Sequence, residues 1–116
     1  MQDFRKNIWS HLQNQEFREA FFAEHAKTKF SFQLRAMRKS RGWTQNDLAR
    51  KLKTTQNVIS RIENIEYGKV SLKTLLELAA AFDVCLSVEF VSHKEGLKRT
   101  NDMSQKRLNV KSFAHP

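Results

Sequence analysis

The stretch TQNDLARKLKTTQNVISRIEN, Thr44 to Asn64, leaves the chain few ways to fold. The tripeptide Thr-Gln-Asn occurs at 44–46 and again at 55–57, and each copy opens a short run with its apolar residues on one helical stripe. Thr44 is placed to cap a helix with its hydroxyl. Asp47, three residues on, completes a capping box by reaching back to the Thr44 backbone amide. Leu48, Ala49 and Leu52 then form the inner face of that helix, and Lys53 and Thr54 leave only a short turn before Thr55, the next cap. The second helix has Ile59 and Ile62 on its inner stripe, so Gln56, Asn57, Ser60, Arg61 and Asn64 must point elsewhere.

Those outward side chains are the kind that reads base edges, since amides pair bidentately with adenine and a guanidinium with guanine. Two short helices joined by such a turn form a helix-turn-helix, in which the second helix lies in the major groove and the first crosses the backbone. The repeated tripeptide is therefore two helix starts with different tasks. Gln45, at the first N-terminus, is placed to meet a phosphate with the help of exposed backbone amides, whereas Gln56 and Asn57 project into the groove.

Charge supports that reading. Lys and Arg number 21 against 12 Asp and Glu, and between 27 and 69 there are eleven basic residues and three acids, so nearly all the excess surrounds the quoted stretch. A polyanionic partner follows. The 116 residues suit one domain with a core large enough to fold without staples. The single cysteine, Cys85, cannot form an intrachain disulfide and reads as a small buried hydrophobe in a reducing cytoplasm. No apolar run approaches the roughly 18 residues needed to span a bilayer, and Met1 to Leu12 is unlike a signal peptide, so a cytoplasmic protein without membrane contact is expected.

Along the rest of the chain, residues 3–25 read as one or two helices with Asn14 as a cap and Phe17, Phe21 and Phe22 on an apolar face. Trp9 and Trp43 are assigned to packing. From Ala26 the spacing of Phe30, Leu34 and Met37 predicts a further helix that Gly42 ends, with Arg35, Arg38, Lys39 and Arg41 on its other face. Tyr67-Gly68 makes a turn. Ser71 caps a helix buried through Leu72, Leu75, Leu76, Ala79 and Phe82. Val84, Leu86, Val88 and Phe90 then alternate with Cys85, Ser87, Glu89 and Val91, the period of two expected of a strand. A lone strand leaves its amides and carbonyls unpaired, so its partner is expected to be the same strand of a second chain, antiparallel about a two-fold axis; the alternative is that 84–91 tucks against its own domain or pairs with a piece of the tail. From Ser92 the chain is polar and basic, with one short helix and a loose end at Pro116.

Gln33 to Val91 resembles the Cro/cI-type, or xenobiotic-response-element, family of helix-turn-helix regulators. The matching positions are Gln45, Leu48, Ala49, Leu52, Ile59, Ile62, Glu63 and Asn64, within the strings GWTQNDLA and VISRIEN. The resemblance implies base contacts at Thr55, Gln56, Asn57 and Arg61, to which Ser60 is added from its place on the outer face. It implies phosphate contacts at Gln45 and Asn64; the basic Arg41, Lys53 and Lys69 are assigned to the same backbone. One departure is notable, because many relatives have glycine in the turn where this chain has Lys53, and a side chain at positive φ is mildly strained. SLKTLLELAAAFDVCLSVEFV, residues 71–91, is similar to the helix-then-strand ending of HigA-like and HipB-like antitoxins, which bind their own operator and also a toxin. NQEFREAFFAEHA resembles the N-terminal extension of such regulators.

Enzymatic readings find no footing. His11, His25, His93 and His115 are scattered, and no H-x-x-x-H, C-x-x-C, G-x-S-x-G or glycine-rich phosphate loop appears in a chain with three glycines. No catalytic residue, metal or cofactor is expected. The expected fold is mainly α: an N-terminal helical extension over 1–25, a five-helix helix-turn-helix domain over 26–83, a dimerisation strand over 84–91 and a basic tail over 92–116. The expected function is a homodimeric regulator, a repressor on a palindromic double-stranded DNA operator. The alternative is an antitoxin that also binds a toxin protein.

Overall fold

The computed structural model describes residues 4–67, 69–100 and 108–114, so the expected turn at Gly68 and the loose end at Pro116 lie outside the described residues. Six helices follow one another: α1 (Phe4–His11), α2 (Gln15–Ser40), α3 (Gln45–Lys51), α4 (Gln56–Ile62), α5 (Leu72–Phe82) and α6 (His93–Arg99). Asn14 caps α2, its Oδ1 accepting from the Phe17 amide at 3.0 Å. From there the 26 residues of α2 run without glycine or proline to Ser40. The separate helix expected from Ala26 is thus a correction. With no breaker between 15 and 40, backbone hydrogen bonding carries the extension straight into the domain. The 26–83 region accordingly holds four helices, the second half of α2 with α3, α4 and α5, and not five.

Three helices end on the same device, a residue in the left-handed conformation followed by paired backbone hydrogen bonds into the last turn. Gly42 (φ 71) ends α2, with Gly42 N to Lys39 O at 3.0 Å and Trp43 N to Arg38 O at 3.1 Å. Lys53 (φ 56) ends α3, with Thr54 N to Ala49 O at 2.9 Å, and Asp83 (φ 58) ends α5, with Val84 N to Ala79 O at 3.0 Å. Aspartate tolerates this conformation better than most side chains, whereas Lys53 carries the strain expected from its departure from glycine.

The core gathers one face from each of α2 to α5: Leu34 and Met37, Leu48 and Ala49, Ile59 and Ile62, Leu78 and Phe82. Trp43 stacks on Phe82 with ring centroids 5.2 Å apart, as its packing role requires, while Trp9 stays 42% exposed. On α5 the expected burial is corrected: of the five residues expected inside, only Phe82 is buried, Leu75 and Ala79 are half-buried, and Leu78, not among the five, joins the core. Leu78 and Phe82 are buried, but Leu72 and Leu76 are 57% and 54% exposed, because α2, α3 and α4 cover only one side of this helix.

At the C-terminal end one further expectation is corrected, and the expected strand finds no partner within one chain among the described residues. Cys85 is exposed. No strand forms among the described residues, and 85–91 make no backbone–backbone hydrogen bond to any of them. Val84 and Leu86 lie half-buried beside the core, and beyond them Val88 is 69% and Phe90 wholly exposed. The physical reason is that a ladder needs a second edge, and one chain supplies none here.

Residues 92–100 and 108–114 of the polar, basic tail pack against the domain. Ser92 caps α6, Gly96 lets α6 approach the Phe22 ring of α2, where a methyl group would lie only 3.2 Å from Phe22 Cε1, and Leu97 is buried. Leu108 is 2% exposed, Val110 packs on the core, and the Phe113 amide donates to Asp83 O at 2.9 Å.

Candidate nucleic-acid interface

The helix pair is built as the spacing predicts. Thr44 Oγ1 accepts from the Asp47 amide at 3.0 Å while Asp47 Oδ2 accepts from the Thr44 amide at 2.8 Å, so both arms of the capping box are closed. The Thr44 backbone amide bonded to the carboxylate first, then the Thr44 hydroxyl group close to it, together with the Arg50 guanidinium bound to the same carboxylate, hold the Asp47 pKa below the ordinary carboxylate value. Thr55 caps α4 more loosely, its hydroxyl accepting from the Val58 amide at 3.4 Å. Between the caps, the Lys53 turn sets α4 across α3 with Ile59 and Leu48 fully buried between them.

With Ile59 and Ile62 buried and Val58 half-buried, the remainder of α4 is left to solvent. Thr55, Gln56, Asn57, Ser60 and Arg61 are all exposed, which puts the five expected base-reading side chains on one continuous surface. Arg61 leans over the Tyr67 ring, 6.0 Å from its centroid. Asn64 ends the helix, its Oδ1 accepting from the Glu66 amide at 3.0 Å. Lys53 and Lys69 are exposed on the turns before and after α4.

Arg41 is placed differently from the expectation. Its Nη2 donates to Val110 O at 2.9 Å and to Phe82 O at 3.2 Å, and its guanidinium lies over the Phe82 ring. Burial lowers its pKa, with Asp83 opposing the shift. This arginine ties the ends of α2 and α5 to the returning tail. It does not face outward with the other basic residues.

Sequence reasoning missed the group that fixes the two helices against α2. Glu63 is 4% exposed, and its carboxylate takes Arg38 Nε at 2.6 Å and Nη2 at 3.0 Å, while Arg38 Nη1 donates to Trp43 O at 2.9 Å. Gln45 Nε2 donates to the same carboxylate at 3.2 Å. Ser31 Oγ donates to the Glu63 carbonyl, so α2 grips both the side chain and the backbone at the end of α4. Gln45, expected at a phosphate, is thereby held at the α3 N-terminus, with its second amide hydrogen and its oxygen uncommitted among the described residues. The available signal was Glu63 itself, one of the only three acids between 27 and 69 and within a family-like string. Pairing it with Arg38, 25 residues earlier, needed the fold.

Residues 34–87 match a family model described as helix-turn-helix, so this segment is a helix-turn-helix domain of the Cro/cI type. The match spans α3, α4 and α5 with the end of α2 from residue 34 to 40, and the rest of α2, α1 and α6 lie outside it. No curated protein and no solved structure matches the chain. No helix of the described residues is long and apolar enough to cross a membrane.

Proposed function

We propose that the protein is a transcriptional regulator that binds a specific double-stranded DNA sequence through the outer face of α4. The observation that carries this is the set of Gln56, Asn57, Ser60 and Arg61, all exposed on a helix whose opposite face is buried and whose end is clamped through Glu63. A rigidly held helix presenting amides and a guanidinium can match base edges in the major groove. Gln45, Asn64, Lys53 and Lys69 surround it with groups suited to phosphate, and position the helix without reading sequence.

The proposed active form is a homodimer on a nearly palindromic operator, repressing by occupying a promoter. Support for the dimer comes from 85–91, whose backbone is unpaired among the described residues and whose Val88 and Phe90 are exposed. A two-fold axis would pair this segment with its copy and lay its apolar side on the exposed Leu72 and Leu76 of α5.

The test is selection of a cognate site from random DNA, followed by titration of Gln56→Ala and Arg61→Ala on cognate and random duplexes. Each substitution should cost roughly 1–3 kcal/mol on the cognate site and relax preference at particular base pairs. Equal losses on both duplexes would refute the assignment of α4. The second reading, an antitoxin, draws on Trp9 and Phe17, which are 42% and 39% exposed and offer apolar area to a protein partner. It requires that a toxin encoded beside this gene bind the native chain and fail to bind a Trp9→Ser/Phe17→Ser variant that still binds DNA.

A further inference from the structure

Behind the recognition helix lies a cleft of about 200 Å³, enclosed by the α3–α4 turn, α4, the segment leading to α5, and α5 itself. Its floor is apolar, formed by Leu52, Val58, Ile62 and Val70, and its walls carry the hydroxyl side chains Thr54, Tyr67 and Thr74. Two cations, Arg61 and Lys69, stand at the rim against one acid, Glu77. Neither cation is in a salt bridge with a described residue, although exposed Arg50 and Arg99 both have carboxylate partners. An apolar floor, hydroxyls on the walls and unpaired positive charge at the mouth match a small amphipathic anion better than a neutral hydrocarbon or a cation.

We infer that this cleft binds a small organic carboxylate with an apolar body, the ring or branched chain lying on Leu52, Val58 and Val70 and the carboxylate meeting Arg61 and Lys69. The inference rests on the proposed role of α4 in reading DNA, because Arg61 belongs to both sites. A guanidinium turned toward a carboxylate in the cleft is withdrawn from a base edge. Ligand and operator therefore compete for Arg61, and each lowers the apparent affinity of the other by the same factor. A neutral compound of the same shape would lack the charge that diverts Arg61.

Benzoate is a suitable probe, titrated into the 15N-labelled full chain without DNA. The expected result is saturable movement of the Tyr67, Lys69 and Thr74 amides at roughly millimolar concentration, the strength reached by a ligand of so few atoms. Benzamide should bind far more weakly. Thr74→Phe fills the cleft from the α5 side and leaves Arg61 and Lys69 in place. It should abolish the benzoate shifts, retain the rest of the wild-type spectrum and retain DNA binding. In the presence of benzoate at ten times its Kd, wild-type affinity for the cognate duplex should fall about tenfold per subunit, beyond the effect of equal sodium chloride, and that of Thr74→Phe should not.

The assignment is overturned if the shifts fail to saturate or spread over the basic surface as they do with chloride. It is equally overturned if benzamide binds as well as benzoate, or if Thr74→Phe binds benzoate normally. Saturable binding with no loss of DNA affinity would refute the competition for Arg61. Because the benzoate titration needs no DNA, failure of the cleft and failure of the DNA reading register in separate measurements.

Discussion

Replacing Glu63 with alanine should be among the most damaging single changes away from the hydrophobic core. The substitution deletes a carboxylate whose side chain is 4% exposed and removes both of its bonds to Arg38, at 2.6 and 3.0 Å. The Arg38 side chain, 10% exposed, is left charged in the interior with Trp43 O as its remaining acceptor. Breaking a buried pair in this way costs about 3–5 kcal/mol, most of it the burden of the orphaned charge. The bond from half-buried Gln45 adds little, since its amide can turn to water. With a urea slope of about 1.5 kcal/mol per molar, the unfolding midpoint followed by circular dichroism should fall by roughly 2–3 M. Glu63→Gln, which keeps an acceptor but not the charge, should lose about half as much. Adding Arg38→Met to Glu63→Ala should recover at least ~2 kcal/mol by removing the unpaired guanidinium. A loss below about 1 kcal/mol in Glu63→Ala would refute the reasoning, for it would mean that Arg38 reaches water without disturbing the packing of α2 on α4.

Other expectations follow from individual residues. Lys53→Gly relieves a left-handed backbone and should stabilise the chain by about 0.5–1 kcal/mol over Lys53→Ala, which loses the same charge but keeps the β-carbon; equal urea midpoints for the two would contradict this. Because the folded Asp47 carboxyl titrates below its ordinary value, the stability it contributes is complete above about pH 4 and is lost as pH falls toward the depressed folded value. Asp47→Asn should therefore flatten part of the acid limb of stability against pH, and an unchanged limb would remove the capping box from the account. Affinity for DNA should fall with salt on a log–log slope near −5 if about six phosphates are neutralised per dimer, and a flat response would point to an acidic protein partner instead. Val88→Pro takes one amide from the proposed inter-chain ladder and should give monomers with much weaker operator binding, and a variant that sediments as a dimer would refute that interface.

The helix pair was legible because everything that specifies it is local. Thr44 and Asp47 close a box within four residues, Thr55 starts the next helix by the same chemistry, and Ile59 with Ile62 dictates which face is left outward. Gly42 and Ser71 likewise marked a helix end and a helix start from their immediate neighbours. The break expected near Ala26 failed for a related reason: a change of apolar spacing is weaker evidence than the absence of glycine or proline between Gln15 and Ser40.

What the chain alone determined is thus the helix starts, the outward side chains of α4 and the surplus of positive charge around them, all set by neighbours a few residues away. What only the tertiary structure decided concerns partners far apart in sequence. Arg38 and Arg41 read alike as basic residues on one helix, yet Arg38 meets Glu63 in the interior and Arg41 holds the carbonyls of Phe82 and Val110. The returning tail, with Leu108 buried and Phe113 bonded to Asp83, was hidden in a polar composition that reads as loose chain. The period of two at 84–91 records which side chains share a face, but pairing requires a second edge, and that is a property of an assembly and not of a segment.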